Sequence, residues 1–143
     1  MSRSSTNFDV EEAMHLAVYY SDHGQKDAAI RMLKELVFHK PNHAEAHFLL
    51  AAQYAEIKLR QRAVAEYHKA LMIKPDFKLA RLQLCMLYLS MDDTKQLIVT
   101  AEPLISADSQ DYFYHFAAAL MALSEENFDE GKQCLAAGMS LNH

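Results

Sequence analysis

The apolar residues of this chain follow a helical spacing rather than the strict alternation of a half-buried strand. Only three glycines and three prolines occur in 143 residues, so the turn residues that bound strands and hairpins are nearly absent. The sequence therefore predicts an all-α fold. The predicted helices lie near residues 10–22, 26–38, 43–56, 60–73, 77–90, 94–106, 110–123 and 127–140.

Polar residues at three predicted helix starts are of the types that cap helices. Asp9 and Asn42 are each followed three residues later by a glutamate, Glu12 and Glu45, as in a capping box. Asp76 directly follows a proline and is a third candidate N-cap. Each of these residues is expected to satisfy a free backbone amide in the first turn of its helix.

One proline falls inside a predicted helix. Pro103 lies in the sixth, where it removes one backbone hydrogen bond and clashes with the preceding turn, at a cost of about 3 kcal/mol in a regular helix. We expect that helix to be kinked or broken near residues 100–102.

The pattern repeats with a fixed period. Tyr20, Tyr54 and Tyr88 lie 34 residues apart, and so do Pro41 and Pro75. A period of this length is the signature of a helix–turn–helix unit that buries its apolar face only by stacking on copies of itself. The units are residues 10–43, 44–77, 78–111 and 112–143. Small or apolar residues recur in register, as in Leu16, Leu50, Leu84 and Ala118, and in Ala17, Ala51, Cys85 and Ala119.

These residues resemble the pattern of the tetratricopeptide repeat family. The second unit matches it best, through Leu50, Ala51, Tyr54, Ala63, Tyr67, Ala70, Leu71 and Pro75. The resemblance implies an α-solenoid of about four helix–turn–helix units in a right-handed superhelix. A short polar lead, residues 1–9, would precede a single repeat domain of residues 10–143.

In that family the first helices of the units line a concave groove that holds ligands. By resemblance, the groove residues here are Met14, Val18, Phe48, Leu79, Leu82, Met86, Leu89, Phe113, Phe116 and Leu120. This register is largely apolar and suits an extended peptide with apolar anchors or an amphipathic helix. Its character loosely resembles the small repeat chaperones of bacterial secretion systems.

The family's carboxylate clamp, which holds acidic tails through Lys, Arg and Asn, is not matched. The corresponding positions are Met14, Val18, Leu49, Leu79 and Gln83, or, one unit later, Phe48, Ala52, Gln83, Phe113 and Ala117. Neither set contains a cation, so an acidic tail is excluded as the ligand of such a clamp.

We expect a non-catalytic protein–protein interaction module, an adaptor or chaperone-like protein whose partner is a protein or peptide. Self-association through the same apolar surface is the alternative, and ordinary core packing is a third explanation of these residues. Large exposed apolar patches are rare on monomers, which favours the first two. The eighth helix would also expose Cys134, Leu135 and Met139, a further reason to expect a dimer.

Chemistry that would indicate an enzyme is missing from the sequence. No glycine-rich phosphate loop, nucleophile elbow or zinc-binding helix motif occurs, and no cofactor is implied. His43 and His47 have the spacing of metal ligands, but no further ligand is clearly placed, and His47 falls with His115 in a packing column. An enzyme or a metal-binding protein remains only a remote alternative.

The net charge, the apolar runs and the cysteines indicate which partners and which cellular compartment to expect. The net charge of −5 and the scattered Lys and Arg argue against nucleic acid as a partner. No apolar run is long enough for membrane insertion and Met1–Asn7 lacks a signal-peptide core, so a cytoplasmic protein is expected. Cys85 and Cys134 are expected to be reduced and structural.

Overall fold

The computed structural model describes residues 8–105 and 111–124, and the regular elements in these ranges are seven α-helices. They are α1 Val10–Asp22, α2 Lys26–His39, α3 Ala44–Glu56, α4 Arg60–Ile73, α5 Lys78–Ser90, α6 Thr94–Ile105 and α7 Tyr112–Ser124. Seven of the eight predicted helices are confirmed. The eighth, near residues 127–140 and including Cys134, Leu135 and Met139, lies outside the described residues.

The chain divides into two compact structural units between Pro75 and Asp76. From here on, the first and second unit are these two parts of the chain, and the 34-residue units of the sequence are called repeats. In the first unit α1 packs on α2, α2 on α3 and α3 on α4. In the second unit α5 packs on both α6 and α7, and α6 packs on α7. Short turns join the helices of each pair, so each pair is a helical hairpin. In the described part of the chain no helix is long and apolar enough to cross a membrane.

The periodic tyrosines mark the end of the first helix in three repeats, at the C-terminal ends of α1, α3 and α5. The backbone carbonyls of Tyr20, Tyr54 and Tyr88 accept hydrogen bonds from the amides five residues later, at 2.8, 2.9 and 3.0 Å. This bond is the outer half of a Schellman motif, which closes a helix with one residue in the left-handed conformation. The tyrosine column therefore records where the first helix stops and the hairpin turns.

The predicted N-caps are confirmed at one of three positions. The Asp9 side chain accepts a hydrogen bond from the Glu12 amide at 3.2 Å. The prediction for Asn42 is wrong, because His43 caps α3 through its Nδ1, 3.0 Å from the Ala46 amide. The prediction for Asp76 is also wrong, since Phe77 is the N-cap of α5 and makes no side-chain capping bond.

The small-residue columns form the core of the hairpins. Ala17, Ala51 and Cys85 are fully buried at the same position of three repeats. Burial raises the pKa of the Cys85 thiol from 9.0 to about 12, against the opposing charge of Arg81. Cys85 is free and buried, which confirms its predicted role as a small apolar residue.

The helix that contains Pro103 is continuous. α6 runs from Thr94 to Ile105, so the expectation of a break near residues 100–102 is wrong. Within this helix Pro103 removes the one hydrogen bond that an amide at its position would donate to the Val99 carbonyl, and the helical backbone continues to Ile105. Leu97, Thr100, Ala101 and Leu104 keep the face of α6 buried through this turn.

Candidate functional site

The first helices of the first unit, α1 and α3, enclose a small cavity. Its volume is about 110 Å³. We call the surface around its mouth the first-helix face of the first unit, defined by Val18, Asp22, Leu49 and Gln53. On each helix the two residues are four apart and therefore share a side. The full lining is Ala17, Val18, Ser21, Asp22, Leu33, Leu49 and Gln53.

A polar side chain with an unmet hydrogen-bonding group lines this cavity. Gln53 is 5% exposed, and its Nε2 donates to Ser21 Oγ at 2.8 Å. Its Oε1 has no hydrogen-bond partner among the described residues. Leaving a buried acceptor unpaired costs about 1–3 kcal/mol, so the unpaired Oε1 of Gln53 lowers the stability of the unliganded fold.

Charge on the two first helices of this unit has one sign. α1 and α3 carry no lysine or arginine, and their acidic residues are Glu11, Glu12, Asp22, Glu45 and Glu56. Glu56 is paired with a cation, Lys26, whose Nζ lies 2.8 Å from its Oε1. A bound cation would therefore meet complementary charge here.

Three of the residues predicted to line the groove lie in this unit. Val18 is 43% exposed at the rim of the cavity. Met14 is half-buried and packs against the core cluster around Leu36. Phe48 is half-buried, with its ring 6.1 Å from that of Tyr67. Val18 is thus the one most available to a partner.

The other seven lie on α5 and α7 of the second unit, and they differ in exposure. Leu79 and Met86 are exposed, at 40% and 51%, whereas Leu82 and Leu120 are buried, at 3% and 7%. The half-buried residues are Leu89, Phe113 and Phe116. Because α5 packs against α7 as well as α6, part of the predicted groove register is covered by neighbouring helices. Leu82 and Leu120 contribute to the core and are not available to a ligand in this conformation.

An aromatic group begins α7. The ring of Tyr112 lies 4.6 Å from that of Phe116 and 5.2 Å from that of Phe113, between centroids. Lys78 Nζ lies 5.9 Å from the Phe113 ring centre and 3.0 Å from Asp111 Oδ2. With Leu79 and Met86, this group forms what we call the first-helix face of the second unit.

A larger cavity, of about 550 Å³, lies on another face of α3. His47, Leu50 and Tyr54 of α3 line it, and at 100° per residue their centre lies roughly 110° around the helix from that of Leu49 and Gln53. The remaining lining residues come from α2, α4 and the loop between α2 and α3. They are Lys34, Val37, Phe38, Pro41, Asn42, Glu66, Lys69, Met72 and Ile73.

The rim of this larger cavity carries two very exposed apolar side chains, which the sequence-based prediction missed. Phe38 is 78% exposed and Met72 is 82% exposed. They lie 34 residues apart, at the same position of successive repeats. That shared position on the polar side of the second helices was the signal that could have identified them.

The floor of the larger cavity explains the paired histidines. His47 Nδ1 lies 2.7 Å from Glu66 Oε1, and its Nε2 lies 2.8 Å from the Pro41 carbonyl oxygen. Both ring nitrogens are therefore engaged, and His43 Nδ1 caps α3. The two histidines serve structure here, and the described residues contain no cluster of three potential metal ligands.

The described helices match solved structures of helical repeat proteins. A crystal structure of MamA aligns with a TM-score of 0.77 at 23% identity, over 94% of this chain and 78% of that one. MamA 41-end from Desulfovibrio magneticus RS-1 aligns with a TM-score of 0.75 at 20% identity, over 92% of this chain and 75% of that one. The TPR2B domain of yeast Sti1, in complex with pHsp70, aligns with a TM-score of 0.64 at 17% identity, over 92% of this chain and 96% of that one. No protein-family model matches the sequence, and no curated protein matches it. The likeness to these structures shows that the chain has the tetratricopeptide repeat fold.

Proposed function

We propose that this chain is a non-catalytic protein–protein interaction module, adaptor or chaperone-like, that binds an apolar peptide segment on its first-helix faces. The segment is either extended or an amphipathic helix. The observation that carries the proposal is the exposure of Val18 and Met86. They occupy the same position of the first helices, two repeat periods apart, and both are apolar and more than two fifths exposed.

The free energy gained by burying apolar anchors of a peptide is large enough for binding. Each Leu- or Phe-sized anchor that a peptide buries contributes about 1.5–3 kcal/mol of gross transfer free energy. Val18 supplies exposed contact surface in the first unit, and Leu79 and Met86 supply it in the second unit together with the half-buried aromatic residues of α7. A few such anchors offset the cost of ordering a flexible ligand. The neighbouring structure of Sti1 TPR2B is a complex with pHsp70, so one protein of this fold holds a protein ligand.

The test is a calorimetric titration with a short, blocked peptide that carries leucine at every third position. The variant Val18→Glu with Met86→Glu should lose most of the binding, because each glutamate places a charge where an apolar anchor would be buried. The matched control is Phe38→Glu with Met72→Glu, which adds the same charge around the larger cavity. Circular dichroism should show equal helicity for both variants, since all four positions are exposed. Binding that survives the first pair of changes would refute the proposal.

Self-association is a second candidate function. The exposed Leu79 and Met86 of the second unit favour it, because neighbouring exposed apolar residues commonly mark an interface between copies. Light scattering over a concentration series separates the two. A dimer that Met86→Glu disrupts supports assembly, and a monomer at all concentrations supports an open peptide-binding face.

A further inference from the structure

We propose that the cavity between α1 and α3 receives a lysine or arginine side chain of the bound peptide, with Gln53 and Asp22 as its hydrogen-bond acceptors. This inference rests on the proposed function, because the cavity opens on the first-helix face of the first unit. It adds a chemical class to the ligand: an apolar segment that carries a cation.

The polar groups of the cavity are suited to a donor. Gln53 Oε1 has no partner among the described residues, although the side chain is 5% exposed. The Nε2 of the same amide is occupied by Ser21 Oγ. Asp22 lines the same cavity, is exposed, and carries an acceptor-only carboxylate. A ligand N–H that enters the cavity would pair the acceptor that the fold leaves unpaired.

The shape of the cavity suits a side chain with an aliphatic stem. Val18, Leu33 and Leu49 form apolar walls beside the polar groups. The volume of about 110 Å³ exceeds the roughly 30 Å³ that one water occupies in the liquid, so several heavy atoms fit. Lysine and arginine bury an apolar stem while the charged end reaches polar partners.

The charges around the cavity favour a positively charged ligand group. α1 and α3 contribute carboxylates and neither lysine nor arginine, and Lys26 pairs with Glu56 at the end of α3. A cation on the peptide is attracted to this face, and a carboxylate is repelled by it. The preference is therefore opposite to that of a clamp for acidic tails.

The experiment compares two blocked peptides of otherwise identical leucine-rich sequence, one with a central lysine and one with norleucine in its place. Norleucine keeps the stem and removes the ammonium group. We expect the lysine peptide to bind the unaltered protein about tenfold more tightly, the effect of one charge-assisted hydrogen bond at a partly exposed site. This advantage should shrink at high salt, while the affinity of the norleucine peptide stays constant.

Two protein variants locate the effect. Asp22→Asn should remove most of the advantage of lysine, and Asp27→Asn, which makes the same charge change on α2 outside the cavity, should leave it intact. Gln53→Leu, checked for unchanged helicity, should remove the rest. Equal affinities of the two peptides, or an advantage that Asp22→Asn leaves unchanged, would overturn the cation site while the proposed function stands. Failure of both peptides to bind would instead overturn the proposed function.

Discussion

Gly24 and Lys58 occupy the same position one repeat apart and have nearly the same left-handed backbone, with φ of 74° and 68°. Asp92, one further period on, has φ of 59°. In each repeat the amide of this residue donates to the carbonyl three residues earlier, at 3.0–3.2 Å, which is the inner bond of the Schellman motif. Only the first repeat fills the position with glycine, the residue that adopts this conformation without a steric penalty.

Lys58→Gly should therefore stabilise the protein. Relief of the left-handed strain is worth about 1–2 kcal/mol, and the added freedom of the unfolded chain returns about 0.4–1 kcal/mol of it. We expect the free energy of unfolding, from urea denaturation, to rise by up to about 1.5 kcal/mol. Gly24→Ala should lower it by a similar amount, although an added Cβ meets no atom within 4 Å, because the cost is in the backbone conformation. A loss of stability on Lys58→Gly would contradict the argument.

Glu66→Ala should destabilise the first unit through His47. The change leaves a buried imidazole nitrogen without its partner at 2.7 Å, which costs about 1–3 kcal/mol. Glu66→Gln should cost less, because an amide offers both a donor and an acceptor to the ring. Urea denaturation measures both, with the exposed Glu35→Ala as a control that should be nearly neutral. Equal losses for Glu66→Ala and Glu35→Ala would show that the contact contributes nothing.

Leu82 and Leu79 offer a matched comparison on one helix. Leu82→Ala should cost about 2–5 kcal/mol, since the side chain is 3% exposed and its removal leaves a cavity. Leu79→Ala should cost much less, since that side chain is 40% exposed. Thermal or urea unfolding distinguishes the two positions. Similar costs would mean that both residues belong to the core, or that both belong to the surface.

Cys85 should be unreactive and should sensitise the fold to alkali. Its folded-state pKa of about 12 lies above the ordinary value of 9.0. The thiol's contribution to the free energy of unfolding is therefore fully present below about pH 9 and is lost as the pH rises toward 12. In a Cys134→Ser variant at pH 8, a disulfide reagent should modify Cys85 only after denaturation. Rapid modification of the native protein would show that the thiol is accessible.

The fold was predictable because its signals are local and repeated. The helix bounds follow from the apolar spacing, and the tyrosine period marks the carbonyl that closes the first helix of three repeats, at Tyr20, Tyr54 and Tyr88. Helix capping was less predictable. An aspartate or asparagine was expected to cap three helices, yet His43 caps α3 and Phe77 is the N-cap residue of α5.

The candidate site was predictable only in outline. The register places Leu82 on the same side of α5 as Leu79, but the packing of α7 and α6 determines which of them is covered, and no spacing rule contains that information. Polar contacts between helices were also missed. His47 reaches Glu66 and Arg81 reaches the Thr100 carbonyl, each pair 19 residues apart at equivalent repeat positions. The packing column that contains His47 thus carries a polar link in the second and third repeats.

The measurement that tests the central claim most directly is mapping of backbone amide chemical shifts during titration with the leucine-rich peptide. We expect saturable shifts at Val18, Leu49, Leu79 and Met86, on the first helices, and none at Phe38 or Met72. Shifts confined to Phe38, Met72 and the cavity that they border would contradict the proposed function, because the ligand would then bind another face of α3.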